Sequence, residues 1–112
     1  MFMRKITFYF MTGLLAISSV VAVYFLWSYN WLLLLLMLLI SLLLFAVSFS
    51  KEEFVTYLIC SLFGALAEII VMYGGVWSYA NPQLLGIPLW LAPTWGIASI
   101  FVLRVHHFVT SV

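Results

Sequence analysis

Four long apolar runs separated by three polar breaks organise this chain. The runs extend from about Ile6 to Trp27, from Trp31 to about Phe49, from about Phe54 to Val76, and from about Pro88 to Val109. Each is close to the roughly 20 apolar residues that a helix needs to cross the hydrocarbon core of a bilayer. The breaks are Ser28-Tyr29-Asn30, Ser50-Lys51-Glu52-Glu53 and an uncharged stretch from Trp77 to Ile87. The pattern predicts an all-α integral membrane four-helix bundle, a single transmembrane domain over residues 1–112, running up-down-up-down. The first two breaks are short enough to force antiparallel hairpins.

Local signals refine the boundaries. Ser50 is placed to cap the third helix, with Glu52 and Glu53 in a first turn where carboxylates suit the helix dipole. The last break carries Asn81-Pro82, Gly86 and Pro88. Pro88 can open the fourth helix, where its missing N–H costs nothing, and Pro93 is expected to break or kink the first turn. Met1 to Lys5 followed by an apolar run also resembles a signal peptide, with Ala16-Ile17-Ser18 as a small-residue cleavage site. The run continues unbroken through Val20-Val21-Ala22-Val23, which favours a retained first span.

Composition supports the membrane reading. Of 112 residues, 68% are hydrophobic and 6% charged, against about 25% charged in an ordinary soluble domain. A chain this short has too much surface for its volume to hide so many apolar side chains in a soluble core. The net charge of +1 offers no electrostatic footprint for nucleic acid. Cys60 lies inside an apolar run, so it reads as a small buried hydrophobe, with neither a disulfide nor a Cys-pair metal motif available.

Charge placement sets an orientation. With alternating spans, Arg4, Lys5, Lys51 and Arg104 all fall on one side, which the positive-inside rule assigns to the cytoplasm together with both termini. Trp27, Trp31, Trp77, Tyr79 and Trp90 gather at the opposite boundary, where an aromatic belt belongs.

Glu68 is the candidate for chemistry. It interrupts the third apolar run, and an intramembrane carboxylate is costly unless paired, hydrated, protonated or functional. A rise of 1.5 Å per residue sets Glu68 roughly 22 Å and Arg104 roughly 9 Å from the cytoplasmic ends of their helices. That gap excludes a direct bridge, so Glu68 is expected to be a protonated carboxyl and Arg104 to snorkel to the interface. Tyr57, Ser61, Gly64, Glu68 and Gly75 lie near one stripe of the third span, and Ala92, Gly96, Ser99 and His106 along one stripe of the fourth. Small residues let helix backbones approach closely in lipid. Ser61, Gly64, Gly75, Ala92, Gly96 and Ser99 are therefore the expected packing face. Trp77, Tyr79, Trp90, Arg104 and His106 are expected at the interfaces. The second span, with Ser41 and Ser48 its only polar residues, reads as lipid-facing. His106 and His107 diverge by about 100° around the helix, and Glu68 lies too deep to join them. No metal, cofactor or catalytic set is expected.

The C-terminal half resembles a family of uncharacterised small bacterial inner-membrane proteins. The resemblance is carried by Glu68, Gly74-Gly75-Val76-Trp77-Ser78-Tyr79, Pro88-Leu89-Trp90-Leu91, Trp95 and His106, about 40 residues in all. Glu stands where that family has Asp, and a Thr-rich stretch after Trp95 is missing. The resemblance implies the topology, a bacterial inner membrane and the importance of Glu68, but no activity. In size the chain is similar to the small multidrug resistance transporters, which carry their coupling glutamate in the first helix rather than the third. The Glu68–glycine–aromatic arrangement is distantly similar to integral-membrane carotenoid cyclases.

Three functional classes follow. The first is a structural or accessory membrane protein in which Glu68 is a buried polar contact, with the bilayer, further copies of the chain or another membrane subunit as partners. The second is an oligomeric proton-coupled transporter using Glu68. The third is an enzyme acting on a membrane lipid or isoprenoid with Glu68 as general acid.

Overall fold

A computed structural model of the chain describes residues 2–110, without the side chains of Phe2 and Met3. Met1, part of the basic N-terminal segment, lies outside the described residues. Four helices are present: α1 (Phe2–Leu26), α2 (Asn30–Val47), α3 (Lys51–Tyr73) and α4 (Leu91–Thr110), with no strand among the described residues. From Arg4 onward α1 is long and apolar enough to cross a membrane, as are α2 and α3. α4 is less apolar, and its place in the bundle gives the reason. It packs against all three other helices, so Gly96 and Arg104 are covered by protein, while His106, His107 and Thr110 near its end are exposed.

Both ends of α3 and the start of α4 depart from the hydropathy pattern. α3 begins at Lys51 because the Ser50 side chain accepts a hydrogen bond from the Glu53 amide at 3.1 Å. It ends at Tyr73, short of the apolar run, in a Schellman cap. There Gly75, with φ +76°, donates to Met72 O at 3.0 Å, and Val76 donates to Val71 O at 3.4 Å. Pro88 does not open α4. The helix starts at Leu91 and runs unbroken to Thr110. Pro93 thus falls in its first turn, where the proline nitrogen has no helical partner to lose.

The connection between α3 and α4 contains a miniature hairpin. Leu84 and Ile87 exchange backbone hydrogen bonds of 2.9 Å, and Leu85 (φ +49°) and Gly86 (φ +91°) form the turn. Two successive left-handed residues make this the mirror-image turn that suits tight hairpins.

The packing of α3 on α4 is the most extensive contact between helices, and glycine makes it possible. A Cβ at Gly64 would fall on the Trp95 side chain, and one at Gly96 on Ser61 Oγ and the Tyr57 ring. Ser61 Oγ is buried at this contact with no hydrogen-bond partner among the described residues. Gly75 does not belong to the packing face: a Cβ there would meet nothing, and its positive φ serves the cap. Ala92 and Ser99 are half-buried, and the Ser99 hydroxyl bonds back to Gly96 O of its own helix.

α2 is more than a lipid-facing helix. Leu33, Met37, Ile40, Ser41 and Leu44 form a buried stripe at helical spacing. The Ser41 hydroxyl donates to Met37 O at 2.8 Å, which leaves its oxygen to accept from Tyr57 Oη of α3 at 2.5 Å.

Arg104 of α4 corrects the expectation of an interfacial, snorkelling side chain. It is 0% exposed and touches every other helix. Its Nε and Nη2 donate to the two carboxylate oxygens of Glu53 in α3 at 3.1 and 2.9 Å. Nη2 also donates to the carbonyls of Leu44 and Ser48 at the end of α2, at 3.1 and 3.0 Å. Nη1 donates to Thr12 Oγ1 of α1 at 3.0 Å, and the guanidinium lies 4.7 Å from the centre of the Phe8 ring. The cation therefore meets the negative end of the α2 dipole, while its carboxylate partner sits at the positive end of α3.

The glycine contacts generate a direct test. Gly64→Leu and Gly96→Val are expected to destabilise the protein by about 1–3 kcal/mol through overpacking. Gly75→Ala should act instead through its backbone, at about 1–2 kcal/mol, without loosening the α3–α4 contact. Thermal unfolding in detergent, combined with a Gly64–Trp95 distance probe such as Trp fluorescence, separates the two effects.

Candidate functional site

The end of the bundle away from Arg104 is built from three segments: the last turns of α1, the start of α2, and the loop between α3 and α4. Asn30, the first residue of α2, ties them together. Its Nδ2 donates to Asn81 O at 2.7 Å, and its Oδ1 accepts from Trp90 Nε1 at 3.3 Å. The amide orientation is dictated by its partners, because a carbonyl can only accept and an indole N–H can only donate. Gln83 Oε1 accepts from the Leu89 amide at 2.9 Å and holds the second half of the loop in place.

Glu68 faces the first half of that loop. Its Oε2 accepts from Trp77 Nε1 at 3.1 Å and from Tyr79 Oη at 3.0 Å. The Schellman cap makes this possible: it reverses the chain at Gly74-Gly75, so residues 77 to 79 return to the last turns of α3. Glu68 enters both bonds as acceptor. The carboxylate is half-buried and lies about a turn and a half before the end of α3. Burial, and then the adjacent Glu68 carboxylate, push the Tyr79 phenol up to about 12 from its ordinary 10.0.

A cleft of about 640 Å³ opens beside this cluster. It is lined by Tyr24 of α1, Trp27 just after α1, Tyr79 and Trp90, together with Asn30 and Asn81. The rings divide by exposure. Tyr24 and Trp27 are exposed, whereas Trp90 is buried at 6%. The hydrogen bond to Asn30 draws Trp90 into the loop end of the bundle. Trp77 and His106 are exposed and Tyr79 is half-buried. His106 and His107 have ring centres 6.1 Å apart on an exposed face. No group of three metal-binding side chains occurs among the described residues.

The structure thus brings Glu68, Trp77, Tyr79 and Trp90 to one end, and Arg104 to the other with Glu53. Sequence reasoning missed Asn30, Asn81, Thr12 and Glu53. For Glu53 a signal was available, since alternating helices put it at the same end of the bundle as Arg104. The long-range pairing of Asn30 with residues 81 and 90 had none.

Comparisons with protein-family models, with curated proteins and with solved structures return no match. The geometry alone carries the functional reading.

Tyr79 offers a titration that reports on this site. The difference in ultraviolet absorbance between the native protein and Tyr79→Phe isolates its phenolate, which should form with a midpoint near 12. Glu68→Gln should move the midpoint down, but only part of the way, because burial is the larger cause. The folded value exceeds the unfolded one. The neutral phenol's contribution to stability is therefore fully present below the ordinary 10.0 and lost as pH rises through about 12. A midpoint at the ordinary value would refute the Glu68–Tyr79 contact.

Proposed function

We propose that this chain is a small multi-pass membrane protein with a structural or accessory role, in which Glu68 fastens the loop after α3 rather than carrying out chemistry. The observation that supports this reading is the pair of hydrogen bonds from Trp77 and Tyr79 to one carboxylate oxygen of Glu68. Both donors belong to the same chain and lie within eleven residues of it, so the carboxylate organises its own surroundings.

In this reading all four helices cross the bilayer in alternating directions. Both termini and the Ser50–Lys51 turn face the cytoplasm, and the aromatic loop end faces the other side. Lys51 and Arg104 at one end and the Trp-rich segments at the other support that orientation, and the resemblance noted above favours a bacterial inner membrane. The long axis of the molecule, 48 Å, suits a bilayer of about 40–45 Å with its headgroups. α4 is tolerated as a span despite Arg104 because the guanidinium is paired and enclosed by three neighbouring helices. α3 packs chiefly on α4 and leaves Leu62, Phe63, Leu66 and Ile70 exposed, a surface suited to lipid or to another membrane subunit.

Substitutions at Glu68 test the role. Glu68→Gln keeps an acceptor oxygen, so it should leave accumulation nearly normal and cost about 1 kcal/mol, the difference between a charged and a neutral hydrogen bond. Glu68→Leu removes the acceptor and should free the loop to proteolysis between Gly74 and Gln83. Normal accumulation of Glu68→Gln with loss of ion- or drug-dependent proton movement would establish a transporter instead. An altered lipid or pigment profile would establish an enzyme. Orientation is read separately in a Cys60→Ser background. Pro82→Cys should react with an impermeant thiol reagent in intact cells, and Ser50→Cys only after lysis.

A further inference from the structure

We infer that the aromatic cleft at the loop end is a binding site for an ammonium group carried on an apolar body: an amphipathic organic cation, either a lipid headgroup or a free molecule. The inference does not rest on the accessory role proposed above. It begins from what the cleft presents to a ligand. Tyr24, Trp27, Tyr79 and Trp90 give it four aromatic rings, and an aromatic face attracts a cation through its quadrupole.

Three of the hydrogen-bond donors around it are engaged, and those left open among the described residues, on Tyr24, Trp27, Ser78 and Asn81, are all neutral. Trp90 Nε1 is bound to Asn30, Asn30 Nδ2 to Asn81 O, and Tyr79 Oη to Glu68. Charge points toward a cation. Every Lys and Arg belongs to the segments around residues 4, 5, 51 and 104, so the only formal charge in the sequence near the cleft is Glu68. Its carboxylate sits behind Tyr79, 3.0 Å from the phenol oxygen, and polarises the hydroxyl so that the ring is richer in electrons. An anion would find no Lys or Arg here, only neutral donors and the nearby Glu68 carboxylate. A purely apolar ligand would leave the Asn30–Asn81 rim and the carboxylate without a complementary charge. An ammonium group with alkyl substituents satisfies both, and at about 640 Å³ the cleft is of a size that ordinarily holds a small molecule.

The test uses the full-length protein in a maltoside detergent, titrated with tetrapropylammonium and followed by Trp fluorescence. Saturable binding is expected, with an uncharged tetraalkyl analogue of the same shape binding at least tenfold more weakly. Tyr24→Leu and Trp27→Leu remove exposed rings that no hydrogen bond among the described residues employs, so each should fold normally by circular dichroism. Each should weaken binding by about tenfold, and Trp27→Phe should restore part of it. Adding choline-headgroup lipid, against a glycerol-headgroup lipid as control, distinguishes the sources. Competition by choline lipid alone identifies a lipid headgroup as the occupant, and its absence identifies a free cation. Either result supports the site. Equal affinity for the uncharged analogue, unchanged affinity in the two leucine variants, or no saturable binding would overturn it.

Discussion

One guanidinium holds the four helices to a common arrangement. Arg104 is fully buried, and its donors reach Glu53 on α3, two carbonyls at the end of α2 and Thr12 on α1. A buried ion pair is not in itself stabilising, because desolvation of both charges offsets most of their attraction. Here the surroundings change that balance. Leu44 O accepts only a long 3.4 Å bond from the Ser48 amide and keeps a lone pair for the cation, and Glu53 would occupy the first turn of α3 with or without Arg104. The cation completes two helix termini that the short Ser48–Ser50 connection has already brought together.

The opposite end is held by different means. Asn30 links α2 to the loop through Asn81 and to the approach of α4 through Trp90. Glu68 draws the first part of the loop back onto α3. The Arg104–Glu53 pair is therefore interior, while Arg4, Lys5, Lys51 and Glu52 around it are exposed and the opposite end is open and aromatic. This asymmetry follows from placement: an arginine reaches across a bundle with five donors, whereas a single carboxylate and neutral amides secure only their own neighbourhood. The aromatic cleft exists because the loop is pinned at two separated points, Tyr79 and Trp90, with α1 facing the gap between them.

Hydropathy alone locates the helices to within a few residues, because backbone geometry fixes how many apolar residues a long helix needs. Its errors fall where local chemistry overrides hydrophobicity. The Ser50 cap extends α3 backward, and the Gly74-Gly75 cap stops it before the apolar run ends. α4 starts after Pro88 rather than at it. Gly64 and Gly96 were identifiable as close-approach positions from helical spacing, but Gly75 shares that spacing for an unrelated reason, its positive φ. Arg104 was misplaced because its depth was compared only with Glu68. Glu53 had already been explained by the helix dipole, so its second role went unseen. The Glu68 partners were visible as residues but not as partners, since nothing in a linear pattern shows that the chain folds back at Gly75.

A double-substitution cycle on Arg104 and Glu53, measured by reversible unfolding in mixed micelles, tests the central role of the buried pair most directly. Arg104→Met leaves Glu53 buried without its cation, and Glu53→Gln leaves Arg104 without its anion, so each alone should cost about 3–5 kcal/mol. The double variant removes both charges and should lose markedly less than the sum, with a coupling of roughly 2–3 kcal/mol. Strictly additive losses, or single variants as stable as the native protein, would contradict the account.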